Sequence, residues 1–406
     1  MIEKKKKNTW ECKLLFGAFG ICCGFFPLLW AVSGLFGWSR DSEEENRTLV
    51  SFPKIETAAD LLDFPVEFDN WCMDHLFLKS EFVKLKSETE AALFGQLDSQ
   101  KVILGTKKPW LFHCSNDGQP LETYKGSNRF TEEEFLEISE NLKSIQESLS
   151  DMGIQFVLMI VPDKEQIYGE CYMPETVKKV AVENRTEQLL KYLEDQVPEV
   201  TVIYPKQALL KADGSWPSVQ SLYYESDTHW NKVGAWTAAR ELLSVMAEEN
   251  GIQNAGFTEP ADFSLSDTVR GDLQKMVKLG KAYDSTEYEP FWKTSWKSLE
   301  VIRDQNSEVI WESSVCKGSN ILPISVYVAG DSFRWNLGNY VKNNVQEAVI
   351  SSRYYLEPEL LGLIEPDVFV YMIAERYLQE LSLLPGINTM PLSMPEYPSI
   401  VQEEDD

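Results

Sequence analysis

Residues 155–161, Gln-Phe-Val-Leu-Met-Ile-Val, leave the backbone little choice. A run this apolar, with Gly153 before it and Pro162 behind it, has no polar face to turn toward water. It predicts a strand buried on both sides, as in a parallel sheet. Residues 200–204, 324–329, 348–351 and 367–373 read the same way. Helical patterns fall between these runs. One covers 131–149 and opens on a Thr131/Glu134 capping box; others cover 184–193, 205–210, 334–344, and 232–250, which Gly251 closes. Strands alternating with helices predict an α/β domain with a mainly parallel sheet over residues 101–384. Binding and catalytic groups collect beyond the C-terminal ends of such strands. Pro162-Asp163-Lys164 and Gly330-Asp331-Ser332-Phe333 stand at two of those ends.

The flanks read differently. Lys4 to Lys7 form a cationic run, and residues 14–36 then carry no charge. About 23 mostly apolar residues suffice to cross a hydrocarbon layer of roughly 30 Å. Residues 1–40 are therefore expected to be a cytoplasmic lysine run and an uncleaved transmembrane helix, with the acidic remainder outside the cell membrane. The competing reading is a cleaved signal peptide ending near Ala31-Val32-Ser33. Residues 41–100 are a linker and helical entry segment, helical over 61–97, with His75 a structural helix residue. Residues 102–105 and 109–112 predict a hairpin closed by His113, read as a loop residue. Residues 256–320 are an irregular insertion holding a few antiparallel strands, such as 299–303, and 385–406 a disordered acidic tail.

Composition narrows the function classes. The net charge is -26, from 64 acidic and 38 basic residues, which repels nucleic acid and argues against it as a partner. The seven cysteines form no CxxC pair and no Cys/His cluster, so no metal and no cofactor are expected. Cys72, Cys114, Cys171 and Cys316 read either as two disulfides or as free thiols.

The chain has three histidines, His75, His113 and His229. Only His229 follows a carboxylate by two residues and precedes an amphipathic helix. In an extended segment residues i and i+2 point to one side, so Asp227 and His229 can share a cleft. Ser332 follows a buried strand and precedes a helix, where one residue offers both a nucleophilic hydroxyl and an N–H for an oxyanion. These three are the candidate triad: Ser332 attacks, His229 is its base, and Asp227 holds the imidazole. Asp331 is the rival carboxylate and reads better as a turn residue. A bland alternative has Asp227 capping the following helix and Trp230 packed in the core.

Several short blocks also resemble, in the same order, those of the AlgJ/AlgX-like alginate O-acetyltransferase family, SGNH-hydrolase-like proteins related to those named for an Asp-His-His-Trp pattern. They are Glu45-Asn46-Arg47 with Phe52-Pro53, Trp110-Leu111-Phe112, Val161-Pro162-Asp163-Lys164 with Tyr168, Asp227-Thr228-His229-Trp230, Arg270-Gly271-Asp272-Leu273, Gly330-Asp331-Ser332-Phe333 and Glu375-Arg376. Thr228 departs from the relatives that carry a second histidine there. The resemblance implies a three-layer SGNH-hydrolase-like domain that acetylates an exported polysaccharide, with a membrane-bound O-acyltransferase as acetyl supplier. Gly271 becomes a second oxyanion candidate. Arg270 and Lys164 are substrate-side candidates with a solvated or salt-bridged alternative, as is Arg376. Tyr168 and Trp230 are candidates for stacking on a sugar or for core packing. The other functions weighed are an acetyl esterase with the same triad and a non-catalytic cell-surface assembly protein.

Overall fold

The computed structural model describes residues 13, 16, 17, 20, 50–55, 57, 60–74, 79–216, 219–253, 255–293, 295–304, 306–318, 320–353, 361 and 364–384. The expected transmembrane run, apart from isolated positions, lies outside these residues, as do His75 and the tail from 385. Among the described residues no helix is long and apolar enough to cross a membrane. Cys72, Cys114, Cys171 and Cys316 are all free thiols.

The chain divides into two compact units. The smaller takes in the described residues up to Leu93 together with Lys275–Leu279. It contains helices Asp60–Asp74 and Lys79–Leu93. Helical spacing puts Phe64, Phe68 and Trp71 on one side of the first helix, where their rings stack. Phe52 meets Trp71 edge-on at 5.0 Å.

The larger unit runs from Phe94 to Gln274 and onward from Gly280. Its strands are β1 (Val102–Leu104), β2 (Leu111–His113), β3 (Gln155–Val161), β4 (Thr201–Ile203), β5 (Phe263–Val269), β6 (Ser285–Pro290), β7 (Trp296–Arg303), β8 (Val309–Cys316), β9 (Leu322–Gly330), β10 (Val345–Ser352) and β11 (Val368–Ala374). β1 and β2 form the expected hairpin, but His113 is the last residue of β2, paired with Val102, and not a loop residue. β5 and β6 make a separate two-stranded sheet.

The main sheet runs β4-β3-β11-β9-β10-β8-β7. The first five strands are mutually parallel, whereas β8 and β7 add antiparallel at one edge. The sheet is therefore mixed: a parallel five-strand run, as expected, with two antiparallel strands added at one edge. β7 and β8 come from the stretch read as an irregular insertion with a few antiparallel strands, and β7 contains the one expected over 299–303. β7 is largely exposed, so it never needed the continuous apolar run by which the inner strands announce themselves.

The inner strands show why those runs are continuous. In β3, Val157, Met159 and Val161 enter one core, while Phe156, Leu158 and Ile160 enter the other. β11 divides likewise, with Val370 and Met372 on one side and Phe369 and Tyr371 on the other. The first core is closed by helices Lys232–Glu249 and Arg334–Lys342, the second by Glu132–Asp151 and Arg185–Gln196. Each large apolar side chain so buried contributes about 1.5–3 kcal/mol. The Thr131/Glu134 capping box opens the Glu132–Asp151 helix as the sequence predicts. In this three-layer α/β domain, β3 leads outward to β4 on one side and β9 to β10 on the other, with β11 between. The C-terminal ends of β3, β11 and β9 meet where the strand order reverses, the place where an open α/β sheet offers a crevice.

Candidate active site

The turn after β9 puts Ser332 in that crevice. Asp331 is buried: one carboxylate oxygen accepts the Phe333 N–H at 3.1 Å, the other the Ala374 N–H at 2.6 Å. Asp331 thus ties the turn to the end of β11, the structural role expected for it. Ser332 is left exposed at the start of the Arg334–Lys342 helix.

The loop 222–231 brings the other two groups. It folds back on itself, with an isolated bridge between Tyr223 and Trp230 and the Tyr224 N–H donating to the His229 carbonyl at 3.1 Å. Asn231, not Asp227, caps the next helix, its side chain accepting from Val233 and Gly234 N–H. Gly234 is required by contact: a Cβ there would lie 2.1 Å from the Leu222 carbonyl oxygen. The Trp230 indole N–H donates to the Phe333 carbonyl at 3.1 Å, docking the loop onto the serine turn.

Three hydrogen-bonded groups result. His229 Nε2 is 2.6 Å from Ser332 Oγ, and His229 Nδ1 is 2.7 Å from Asp227 Oδ1. The same carboxylate oxygen accepts the His229 N–H at 2.9 Å, and Oδ2 accepts the Asp272 N–H at 2.7 Å. Burial disfavours the imidazolium, but the hydrogen bond and charge of Asp227 outweigh it and lift the His229 pKa above its ordinary 6.5. Burial opposes ionisation of Asp227 too, yet the His229 contacts hold its carboxyl well below the usual range.

Asp272 is the partner that sequence reasoning passed over. Its carboxylate accepts the Thr228 N–H at 2.8 Å and the Thr228 hydroxyl at 2.6 Å, and it approaches His229 Nδ1 to 3.8 Å. Thr228 thus spaces a second carboxylate from the ring. The Gly-Asp-Leu turn was the available signal. Ligand atoms of Asp227, His229 and Asp272 lie within 4.8 Å of one another, a spacing a cation could use. Here Nδ1 instead shares a proton with Asp227, and both Asp272 oxygens accept from Thr228.

The remaining candidates divide. Lys164 is fully buried, not solvated, and reaches under the loop to the carbonyls of Tyr224 (3.3 Å), Glu225 (2.9 Å) and Asp227. Burial pushes its pKa down. Its ammonium faces the loop backbone, and it does not line the cleft at Ser332. The Gly271 N–H, expected as an oxyanion donor, bonds to Gln274 Oε1 at 3.3 Å instead. A Cβ at Gly271 would sit 2.1 Å from the Ser226 carbonyl oxygen, which is why glycine stands there. Tyr168 is buried, donating to Asp213 and accepting the Leu222 N–H. Trp230 is also buried, so neither ring meets solvent to stack on a sugar. Arg270 is exposed, and Arg376 is paired with buried Asp163 at 2.6 Å. Glu375 accepts the Asp163 N–H at 3.0 Å, tying the end of β11 to the end of β3. A cleft of about 200 Å³ opens over Ser332 and His229, and its wall includes Tyr224, Trp335 and Asn336, which the sequence had not singled out.

Lys164→Met is expected to cost about 3 kcal/mol, because buried carbonyls lose their donor. It should also lower kcat about 100-fold, since ångström-scale looseness in a triad has that cost. Urea unfolding and burst kinetics check the two effects separately.

A family profile described as SGNH hydrolase-like domain, acetyltransferase AlgX, matches residues 102–349. The chain is similar to a Pseudomonas putida protein named Probable alginate O-acetylase AlgJ, 22% identical over 298 residues, covering 66% of this chain and 72% of that one. It is similar to the protein of the same name from Pseudomonas syringae pv. tomato, at 23% over 301 residues, 66% of this chain and 71% of the other. Among solved structures, Bacillus cereus PatB1 shares the fold with a TM-score of 0.50 at 14% identity, covering 67% of this chain and 96% of that one.

Proposed function

The chain belongs to the SGNH hydrolase-like domain family of the acetyltransferase AlgX, and on that premise we propose that it is an O-acetyltransferase that carries an acetyl group on Ser332 to a hydroxyl of an exported polysaccharide. The observation that supports this most is the continuous line from Ser332 Oγ through both His229 nitrogens to Asp227, at 2.6 and 2.7 Å. The polysaccharide acceptor is supported by the names of the AlgJ relatives.

In the first half-reaction Ser332 Oγ attacks the carbonyl carbon of an acetyl donor while its proton passes to His229 Nε2. The Ser332 N–H faces the oxyanion of the tetrahedral intermediate. As that intermediate collapses, His229 returns the proton to the departing oxygen or sulfur. A sugar hydroxyl then gives its proton to His229, attacks the acetyl-serine and leaves as an ester, and Ser332 recovers its hydrogen. Water in the second step gives acetate, which makes the esterase reading an outcome of the same experiment. The proposal places the domain outside the cell membrane, held by the helix expected at 14–36 and supplied by a membrane-bound O-acyltransferase. The lysines ahead of the apolar run and the family resemblance support that placement.

The test offers an acetyl ester with and without oligosaccharide and follows acetate and acetylated product by mass spectrometry. Transfer predicts product at the expense of acetate. Acetate release that ignores the acceptor counts against transfer. A base must be neutral to work, so kcat/KM should rise with pH through the His229 pKa. The acidic limb is expected above 6.5, the direction in which Asp227 moves the ring.

A further inference from the structure

We propose that the acceptor is an uncharged sugar polymer, carried against Trp335 and Asn336, and that this site disfavours uronate chains. The inference rests on the transferase reading above and concerns which polysaccharide that site takes.

The cleft is lined by Tyr224, Trp230, Phe333, Trp335 and Asn336 around Ser332 and the His229–Asp227 pair, with no lysine or arginine among the described lining residues. A uronate polymer presents a carboxylate on each ring, and proteins that hold such chains meet them with arginine or lysine. Five cations of this unit already have partners. Lys164 is buried on three backbone carbonyls. Arg376 is paired with Asp163, and Arg353 with Glu380. Arg334 donates to the Gly330 and Asp331 carbonyls from a buried position. Lys232 lies against Glu287 and Glu289. Exposed Arg270 does not line the cleft.

Carboxylates press on the site instead. Glu287 takes the Tyr224 hydroxyl at 2.8 Å, and Asp272 stands 3.8 Å from His229 Nδ1. The chain as a whole carries a net charge of -26. The lining itself holds only the Asp227–His229 pair as charged groups, so it offers a uronate no free cation, and the negative field of the chain lowers the local concentration of a like-charged ligand.

What the cleft does offer suits a neutral ring. Trp335 is half-buried in the first turn after Ser332, and its ring is braced by the Arg334 guanidinium 4.0 Å from the ring centre. The indole presents apolar surface to the C–H face of a sugar. Asn336, whose Nδ2 donates to the Trp230 carbonyl at 3.4 Å, brings an amide with a second N–H and an oxygen to exchange hydrogen bonds with hydroxyls. This is also where stacking belongs, now that Trp230 and Tyr168 are seen to be buried.

The experiment gives the whole protein p-nitrophenyl acetate as donor and compares a neutral β-1,4-glucose hexamer with a β-1,4-mannuronate hexamer. Acetylated product and acetyl-enzyme are both read by mass spectrometry. The neutral hexamer is expected to be acetylated about tenfold faster or more at low ionic strength, with the gap narrowing at about 0.5 M salt as the repulsion is screened. Trp335→Ala should raise the KM for the neutral hexamer about tenfold, with Trp335→Phe restoring most of it. Asn336→Arg should raise the rate with the uronate hexamer. If acetyl-Ser332 forms and the uronate hexamer is acetylated as fast or faster, the acceptor inference alone is overturned. If acetyl-Ser332 decays to acetate at one rate with either hexamer, transfer and acceptor class both fall. If no acetyl-Ser332 forms, the underlying reading fails first.

Discussion

Ser332→Ala is expected to abolish the acetyl-enzyme and to lower turnover of an acetyl ester by about 10⁴-fold or more, as loss of a triad member does elsewhere. Alanine removes the oxygen that accepts the acetyl group and leaves His229 Nε2 facing no proton donor at 2.6 Å. Stability should change by less than about 0.5 kcal/mol, because Ser332 is exposed and the turn is held by Asp331, not by the serine. That separation makes the variant decisive, since a collapse of activity with an unchanged unfolding curve cannot be charged to misfolding. His229→Ala should lose activity to a similar extent, and the double variant should lose little more, because the two groups act as one unit. A mass shift of one acetyl group that persists in Ser332→Ala would falsify the assignment of the nucleophile.

The legible parts of this chain were those where one physical demand dominates. β3 had to be a two-sided buried strand, and its bounds are the ones the apolar run marks. The Thr131/Glu134 box and the Lys232–Glu249 helix were readable because caps and helical periodicity are local. The Asp227–His229–Ser332 grouping was readable for a different reason: residues i and i+2 share a side, and a serine at a strand end lies at the sheet's working edge. Of the last two strands in the sheet, β7 was marked only over 299–303 and β8 not at all, because strands that are not buried on both faces lack an unbroken apolar run. Lys164 misled in another way. Nothing in a sequence says that a lysine will be buried and spend its donors on the backbone of a loop 60 residues or more away. Gly271 was placed at the right spot for the wrong reason, since its importance is the space it leaves for Ser226. Trp335 and Asn336 carried no pattern of their own. Only the course of the turn after β9 makes them the wall of the cleft.

Asp227→Asn is expected to cut kcat by roughly 10³- to 10⁴-fold while leaving the protein folded, the loss seen when the equivalent carboxylate of a serine protease becomes an amide. The hydrogen bonds explain why no amide orientation serves. Asp227 accepts on both oxygens, from His229 Nδ1–H and N–H on one and from the Asp272 N–H on the other. An asparagine that keeps its oxygen toward His229 turns its NH₂ against the Asp272 N–H, donor against donor. Flipped, it donates to Nδ1 and drives the ring proton to Nε2, where it blocks acceptance of the Ser332 proton. The lost negative charge also removes the larger part of what lifts the His229 pKa, leaving Asp272 to oppose burial, so the acidic limb of kcat/KM should move down toward 6.5. Asp272 is the available substitute, 3.8 Å from Nδ1, and it should rescue some of the activity. Asp227→Asn with Asp272→Asn is therefore expected to lose about tenfold more than Asp227→Asn alone, a coupling that neighbouring groups on one ring should show. A loss smaller than tenfold in the single variant, with the limb unmoved, would mean that this carboxylate does not hold the imidazole during turnover.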